Sequence, residues 1–318
     1  MKLAHLSQIT GIPKPTLNAR INTLCDKNTL ERDKGNHIII SPNQAHTISK
    51  SNLTTNKGMV IRVGNLKGGV GKTSLSYLLA DATSSLGLKT CIIDLDIQMN
   101  LTSLYTDKNS KRPVFLDIIS GEAHISDVVL KINDYLSLIP SSLRNSLIEK
   151  EILSQNGVHL LNWFNDICLD YLKDNFDIII FDTPPDLSTL NSVTGLCLDE
   201  NDSFLFPIDP DTFSLDGVEL VLYDINKIRK SYRVNNNPNL TIVMNRFEQS
   251  AKEDLKALID ANDRFGNALS ETIIRKITKL KEYTKSKKTI SNIPRNKDIL
   301  TLLNGLLKDL KIITPWGI

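Results

Sequence analysis

The run Lys67-Gly68-Gly69-Val70-Gly71-Lys72-Thr73-Ser74 constrains this chain more than any other feature, because it joins an apolar run, MVIRVGNL, to a helical stretch, TSLSYLLADATSSL. Glycines let such a turn aim its backbone N–H groups at one point, where the positive end of the following helix already favours an anion. In a loop of this kind Lys72 contacts the β- and γ-phosphates of a nucleotide and the Thr73 hydroxyl ligates Mg2+. Gly68, Gly69, Val70 and Gly71 supply the cradle, and Ser74 extends the helix start toward the α-phosphate. The general pattern asks for glycine five residues before Gly71, but Leu66 stands there and a second lysine, Lys67, follows it. A second cation near the γ-phosphate stabilises charge developing in phosphoryl transfer.

Downstream, short β-branched apolar runs alternate with longer helical stretches. KTCIIDLD, YLSLIP, FDIIIFDTPP, DSFLFPIDP, NLTIVMNRF and ETIIRKI read as strands buried on both faces. LLNWFNDICLDYLK, TFSLDGVELVLYDINKI and KEDLKALIDANDRF read as helices. This alternation predicts an α/β fold, a mostly parallel sheet with helices on both faces. Two strand ends carry acids. Asp182 closes FDIIIFD, where a buried carboxylate needs a cation partner and fits an Mg2+ aspartate. Asp94 and Asp96 end CIIDLD, facing the ligand crevice of a parallel sheet, with the capping of the next helix as the other reading of Asp94.

The run KGGVGKTS resembles the deviant Walker A family of P-loop ATPases, which includes the ParA partition ATPases, the division-site ATPase MinD and the nitrogenase iron protein. The resemblance extends over most of 58–318. CIIDLDIQMNLT resembles the family's DLDPQGNAT segment, with Ile97 in place of proline and Met99 in place of glycine. It implies that Lys67 reaches across a homodimer to the partner's nucleotide, that Asp96 orients the attacking water, and that Asp94 supports the site with Gln98 nearby. Asn245-Arg246 falls where the family often contacts adenine. FPIDPDTFSLDGVELVL carries the Leu215 and Gly217 pair of ParA, and Thr183-Pro184-Pro185 matches its switch-like loop. ETIIRKITKLKEYTKSKKTI resembles the late ParA segment through which dimers grip nonspecific DNA, here with Arg275, Lys276, Lys279, Lys281, Lys285, Lys287 and Lys288. ATP and Mg2+ are the cofactors this implies.

Net charge of +2 hides an asymmetry. Residues 1–57 carry eight Lys/Arg against three Asp/Glu, 271–297 carry nine against two, and 58–270 carry 19 against 29. Basic flanks on an acidic body suit a polyanion binder, or a solvated surface. The N-terminal stretch suggests a small winged helix-turn-helix-like domain over 1–50, a linker at 51–57 and the ATPase domain over 58–318. In it a short helix, a turn at Gly11-Ile12-Pro13 and a helix opening at Pro15 precede a hairpin in LERDKGNHIIIS. Leu17, Ile21 and Leu24 form its inward stripe, leaving Lys14, Thr16, Asn18, Arg20 and Asn22 for operator DNA.

Cys25, Cys91, Cys168 and Cys197 lie far apart without metal-site spacing, which disfavours the redox branch of the family. No leader or spanning segment is evident, so a cytoplasmic, nucleoid-associated place is expected. The function expected is ATP-dependent DNA partition with a ParB-like centromere-binding partner, and operon autoregulation through the N-terminal domain. A MinD-like membrane-positioning ATPase and an ATP-modulated transcription regulator are the alternatives. The terminal helix ILTLLNGLLKDLKI carries few cations and reads as packing on the body, against stable membrane association.

Overall fold

The computed structural model describes residues 1–26, 29–54, 57–107, 112–154, 160–276, 284, 289–290 and 297–316. The chain begins with α1 (Leu3–Thr10), α2 (Lys14–Leu24), an antiparallel hairpin of β1 (Glu31–Arg32) and β2 (Ile38–Ile39), and α3 (Pro42–Ser49). Gly11 adopts φ +75° and ends α1, its N–H bonded to Ser7 O at 3.0 Å, which is the left-handed cap that glycine takes without strain. Leu17 and Ile21 are buried as the periodicity requires, but Leu24 is 56% exposed. The chain leaves α2 extended at Cys25, and the helix's final residue faces away from the core.

Beyond 57 the strands are β3 (Met59–Val63), β4 (Thr90–Asp94), β5 (Leu130–Lys131), β6 (Leu136–Ile139), β7 (Ile178–Asp182), β8 (Ser203–Ile208) and β9 (Asn239–Met244). They form one seven-stranded sheet of order β5-β6-β4-β7-β3-β8-β9, parallel except for β5. Helices α4 (Lys72–Ser85), α5 (Ile148–Ser154), α6 (Thr189–Leu196), α7 (Thr212–Ser231), α8 (Lys252–Phe265) and α9 (Lys297–Asp309) cover it. The stretch 160–175 is helical with a π-helical turn at Asn165–Leu169. Two apolar clusters, one on each face, bury β3, β4 and β7 completely, as their uninterrupted apolar runs demand.

ETIIRKI forms no strand among the described residues. Residues 269–275 instead run along the outer side of β9 through isolated bridges, Ile242 to Leu269 and Phe247 to Arg275, with Ile274 N–H donating to Met244 O at 2.8 Å. The Glu271 and Arg275 ends are exposed, so burial on two faces, the condition for a strand of this composition, is unmet.

The N-terminal elements share a core cluster with the ATPase body rather than closing one of their own. Leu6, Ile9, Ile12 and Leu17 join Leu303, Leu306 and Leu307 of α9 in it. Asn304 Nδ2 donates to Ile9 O at 2.8 Å, satisfying a carbonyl at the end of α1. The linker segment is tied down too, Leu53 bridging Ile313 and Thr54 N–H donating to Ile312 O at 3.0 Å. Helix α4 is buried from Leu75 to Ser84 because these elements lie over it, and a Cβ at Gly87 would come within 2.3 Å of Pro42 O.

Candidate active site

The phosphate loop leaves β3 and opens α4 at Lys72. Gly69 and Gly71 sit at φ +79° and +103°, and a Cβ at Gly68 or Gly69 would meet no atom within 4 Å. That space is a cradle lined by backbone at a helix N-terminus, the geometry that receives phosphate. Val70 is buried beneath it, while Thr73 and Ser74 are half-buried at the first turn of α4. Lys72 is 7% exposed and its Nζ donates to Asn65 O at 3.0 Å and Lys67 O at 3.2 Å, curled over the loop's own carbonyls. Burial lowers its pKa, and the carboxylates of Asp182, Asp96 and Asp186 oppose that shift.

Asp182 ends β7 beside the loop. Its Oδ1 accepts from Ser76 Oγ at 3.0 Å, and its buried Oδ2 has no partner. An orphaned buried carboxylate oxygen beside the Thr73 hydroxyl fits a divalent cation, so Asp182 and Thr73 are the residues that would hold Mg2+. Burial raises the Asp182 pKa and the neighbouring Asp94 adds to it, while Thr73, Ser76 and Lys72 pull the other way.

Asp94 has another job. Fully buried, it accepts from Thr102 N–H at 2.8 Å, Thr102 Oγ1 at 2.7 Å and Asp96 N–H at 3.1 Å. Both its oxygens accept from the segment after β4, so it shapes the site by ordering that segment. Asp96 is half-buried, with Gln98 N–H donating to its Oδ1 at 2.9 Å, and stands clear of β4 at the crevice. Met99 follows at φ +55°, a left-handed conformation costly for a side chain and natural for the glycine of the resembling segment.

Asn245 and Arg246 grip the loop from behind. Asn245 Nδ2 donates to Val70 O at 2.6 Å, and the Arg246 guanidinium donates to Gly69 O and pairs with Asp209 at 3.1 Å. Their side chains are thus engaged by the phosphate loop's backbone and by Asp209.

Lys67 lies at the rim with 25% of its side chain exposed. Its ammonium pairs with Asp211 and, at 3.3 Å, with Asp209. Burial lowers its pKa, but the two carboxylates outweigh that and hold it above the ordinary lysine value. Asp211 also accepts from Ser214 N–H at 2.9 Å, capping α7. A Cβ at Gly217 would come within 2.8 Å of Asn65 Oδ1, which itself accepts from Lys67 N–H at 3.0 Å, so glycine lets α7 approach the loop. The partners Asp209 and Asp211 were missed in the sequence, although an acidic pair closing a parallel strand is the signal that finds them.

Of the residues read as DNA-facing, Lys14 and Asn18 are exposed and Thr16 is half-buried. Arg20 is engaged within the chain. Its Nη1 donates to Ile48 O at 2.7 Å, and its guanidinium lies 4.9 Å from the Trp316 ring centroid. Arg275 and Lys276 are exposed, Lys276 lying 3.6 Å from Glu248. Lys279, Lys281, Lys285, Lys287 and Lys288 fall outside the described residues.

A mostly parallel sheet in which a glycine loop with two lysines joins a buried strand to the start of a helix defines a P-loop ATPase. A family model described as an AAA domain matches residues 58–242, more than half the chain. An uncharacterised protein of Methanocaldococcus jannaschii is 33% identical over 229 residues, 66% of this chain and 81% of its own length. The sporulation initiation inhibitor protein Soj of Bacillus subtilis is 28% identical over 245 residues, 75% of this chain and 85% of Soj. In fold, an ATP-bound McdA variant from Cyanothece matches with a TM-score of 0.71 at 21% identity, over 81% of this chain and 98% of McdA. The chain belongs to this family and is a ParA-type ATPase.

Proposed function

We propose that this ParA-type ATPase is an ATP-driven partition switch: with ATP and Mg2+ bound it closes into a homodimer, the dimer holds DNA regardless of sequence, and hydrolysis releases it. Lys67 carries this reading, as a second lysine at the rim of the phosphate loop that is paired to acids of its own chain yet one quarter exposed. Exchanging Asp211 for a phosphate of the partner's nucleotide would make closure conditional on ATP, and Asp96 would orient the attacking water, a role its half-buried place at the end of the β4 segment supports. Asp182 and Thr73 would hold Mg2+, which would supply charge neutralisation of the phosphates. DNA and ATP affinities are then coupled reciprocally.

Exposed Arg275 and Lys276 support the DNA contact, because phosphate contacts need charge without base readout. A helix, turn, helix and hairpin with Lys14 and Asn18 exposed support operator binding and operon autoregulation. The stimulating partner fits a ParB-like centromere-binding protein, and the chain's place is then the nucleoid. A membrane-positioning role is disfavoured by α9, whose Leu300, Leu303, Leu306 and Leu307 are buried in the body. No helix among the described residues is long and apolar enough to cross a membrane. Electrophoretic shift of long DNA at several salt concentrations tests the reading. Retardation should need ATP and disappear in Lys67→Ala, and ATP-independent or absent binding would sink it.

A further inference from the structure

Arg62 stands in the middle of β3, 2% exposed, and plays no part in the chemistry above. Its guanidinium pairs with no carboxylate among the described residues. Nε donates to Thr194 Oγ1 at 3.2 Å, Nη2 donates to Asn191 Oδ1 at 2.8 Å, and Nη1 has no partner. Phe204 lies beside it, its ring centroid 5.7 Å from Cζ. Burial lowers its pKa to about 10. A buried cation with neutral partners and one idle donor is expensive, and an apolar residue of similar volume would serve packing better.

What the charge does is visible one bond further on. With its Oδ1 held by Arg62, the Asn191 amide must present Nδ2 on the other side. There it donates to Pro184 O at 3.0 Å, Asp186 O at 2.8 Å and Asp186 Oδ1 at 3.0 Å. These acceptors belong to the loop that leaves Asp182. A cation on the amide oxygen both forbids the flipped amide and polarises the N–H donors. Gly64 makes room for the arrangement, since a Cβ there would come within 2.5 Å of Arg62 Nη1.

We propose that Arg62 is a positioning residue for ATP hydrolysis, acting through Asn191 to fix the loop 183–188 beside the Mg2+ aspartate Asp182. The proposal rests on the ATPase activity and is independent of DNA or cargo. The test uses the full chain with Arg62→Met, Asn191→Ala and the double variant, measuring melting temperature, equilibrium MgATP binding, kcat and hydrogen exchange over 183–188. Arg62→Met should melt near the parent temperature, because removing a buried charge without a carboxylate partner offsets the loss of its hydrogen bonds to Thr194 and Asn191. It should bind MgATP nearly as well, yet lose about 10- to 100-fold in kcat, with faster exchange in the loop. Asn191→Ala should lose a similar factor, and the double variant no more than either, as members of one chain of contacts do. A parent-like kcat in Arg62→Met, or losses that multiply in the double variant, overturns the proposal. Should Arg62→Met fail to fold, Asn191→Ala decides alone: full kcat with an unchanged exchange rate in the loop overturns it.

Discussion

Asp182 faces two opposite demands, and pH separates them. Its carboxyl is held above the ordinary range, with a pKa pushed up to about 7 by burial and by Asp94. A raised carboxyl favours the folded chain when protonated, so without metal this pair's contribution to stability is present at low pH and lost as pH rises through 7. Mg2+ needs the ionised form, so MgATP affinity should fall as pH drops below about 7. Calorimetric titration from pH 5.5 to 8 should show that fall, and Asp182→Asn should flatten it. Asp96→Ala should keep nucleotide binding and lose about 100-fold or more in phosphate release, the usual worth of a group that orients the nucleophile. Asp211→Asn keeps a side chain that caps α7 but weakens the hold on Lys67. ATP-dependent dimerisation, followed by sedimentation, should then need about two- to five-fold less protein, the worth of a partly exposed ion pair. The places of Lys67, Lys72 and Thr73 on the loop and of Asp182 at a strand end were legible in the sequence because each owes its place to its neighbours along the chain. The sequence could not choose between the two readings of Asp94, nor reveal Arg62, because Thr102 and Asn191 reach them only through the fold.

Among the elements, those with strong internal pattern were legible and those that depend on neighbours were not. Lys252–Phe265 forms the helix its sequence predicts, and six of the apolar runs become strands of the main sheet. Helix α6 escaped notice because its polar residues Asn191, Ser192 and Thr194 are buried along with its apolar ones, so no exposed polar stripe marks it, and its start is fixed by the Ser188 side chain. Glu149 of α5 accepts from Thr189 Oγ1 at 2.7 Å, so these two short helices hold each other. The N-terminal stretch reads locally as a small domain, yet its apolar faces are completed by α9, far away in sequence. Residues 1–54 expressed alone should therefore show little helical circular dichroism, being too small to close a core without α9. Leu303→Ala in the full chain should cost about 2–5 kcal/mol by thermal unfolding, because Leu303 is fully buried where α9 meets the N-terminal helices.

The whole molecule sets basic flanks against an acidic body, and under the proposed DNA grip this balance predicts how binding responds to salt. Retardation of DNA should weaken steeply with salt, and the slope of log affinity against log salt should drop by about one for each of Arg275→Ala and Lys276→Ala. A helical turn that read bases would instead lose affinity unevenly among sequences, which separates an operator site from this grip. The sheet that carries the ATP site also governs how copies can meet. One margin is β5, two residues long, antiparallel and carrying Lys131, and the other is overlaid by residues 269–275. Among the described residues, neither margin offers more than a short ladder of backbone groups on which another strand could template itself. If copies gather on a long duplex, as the proposed DNA grip would have them, these margins favour meeting through side-chain surfaces, which can let go again, over the self-propagating cross-strand growth that makes fibres permanent.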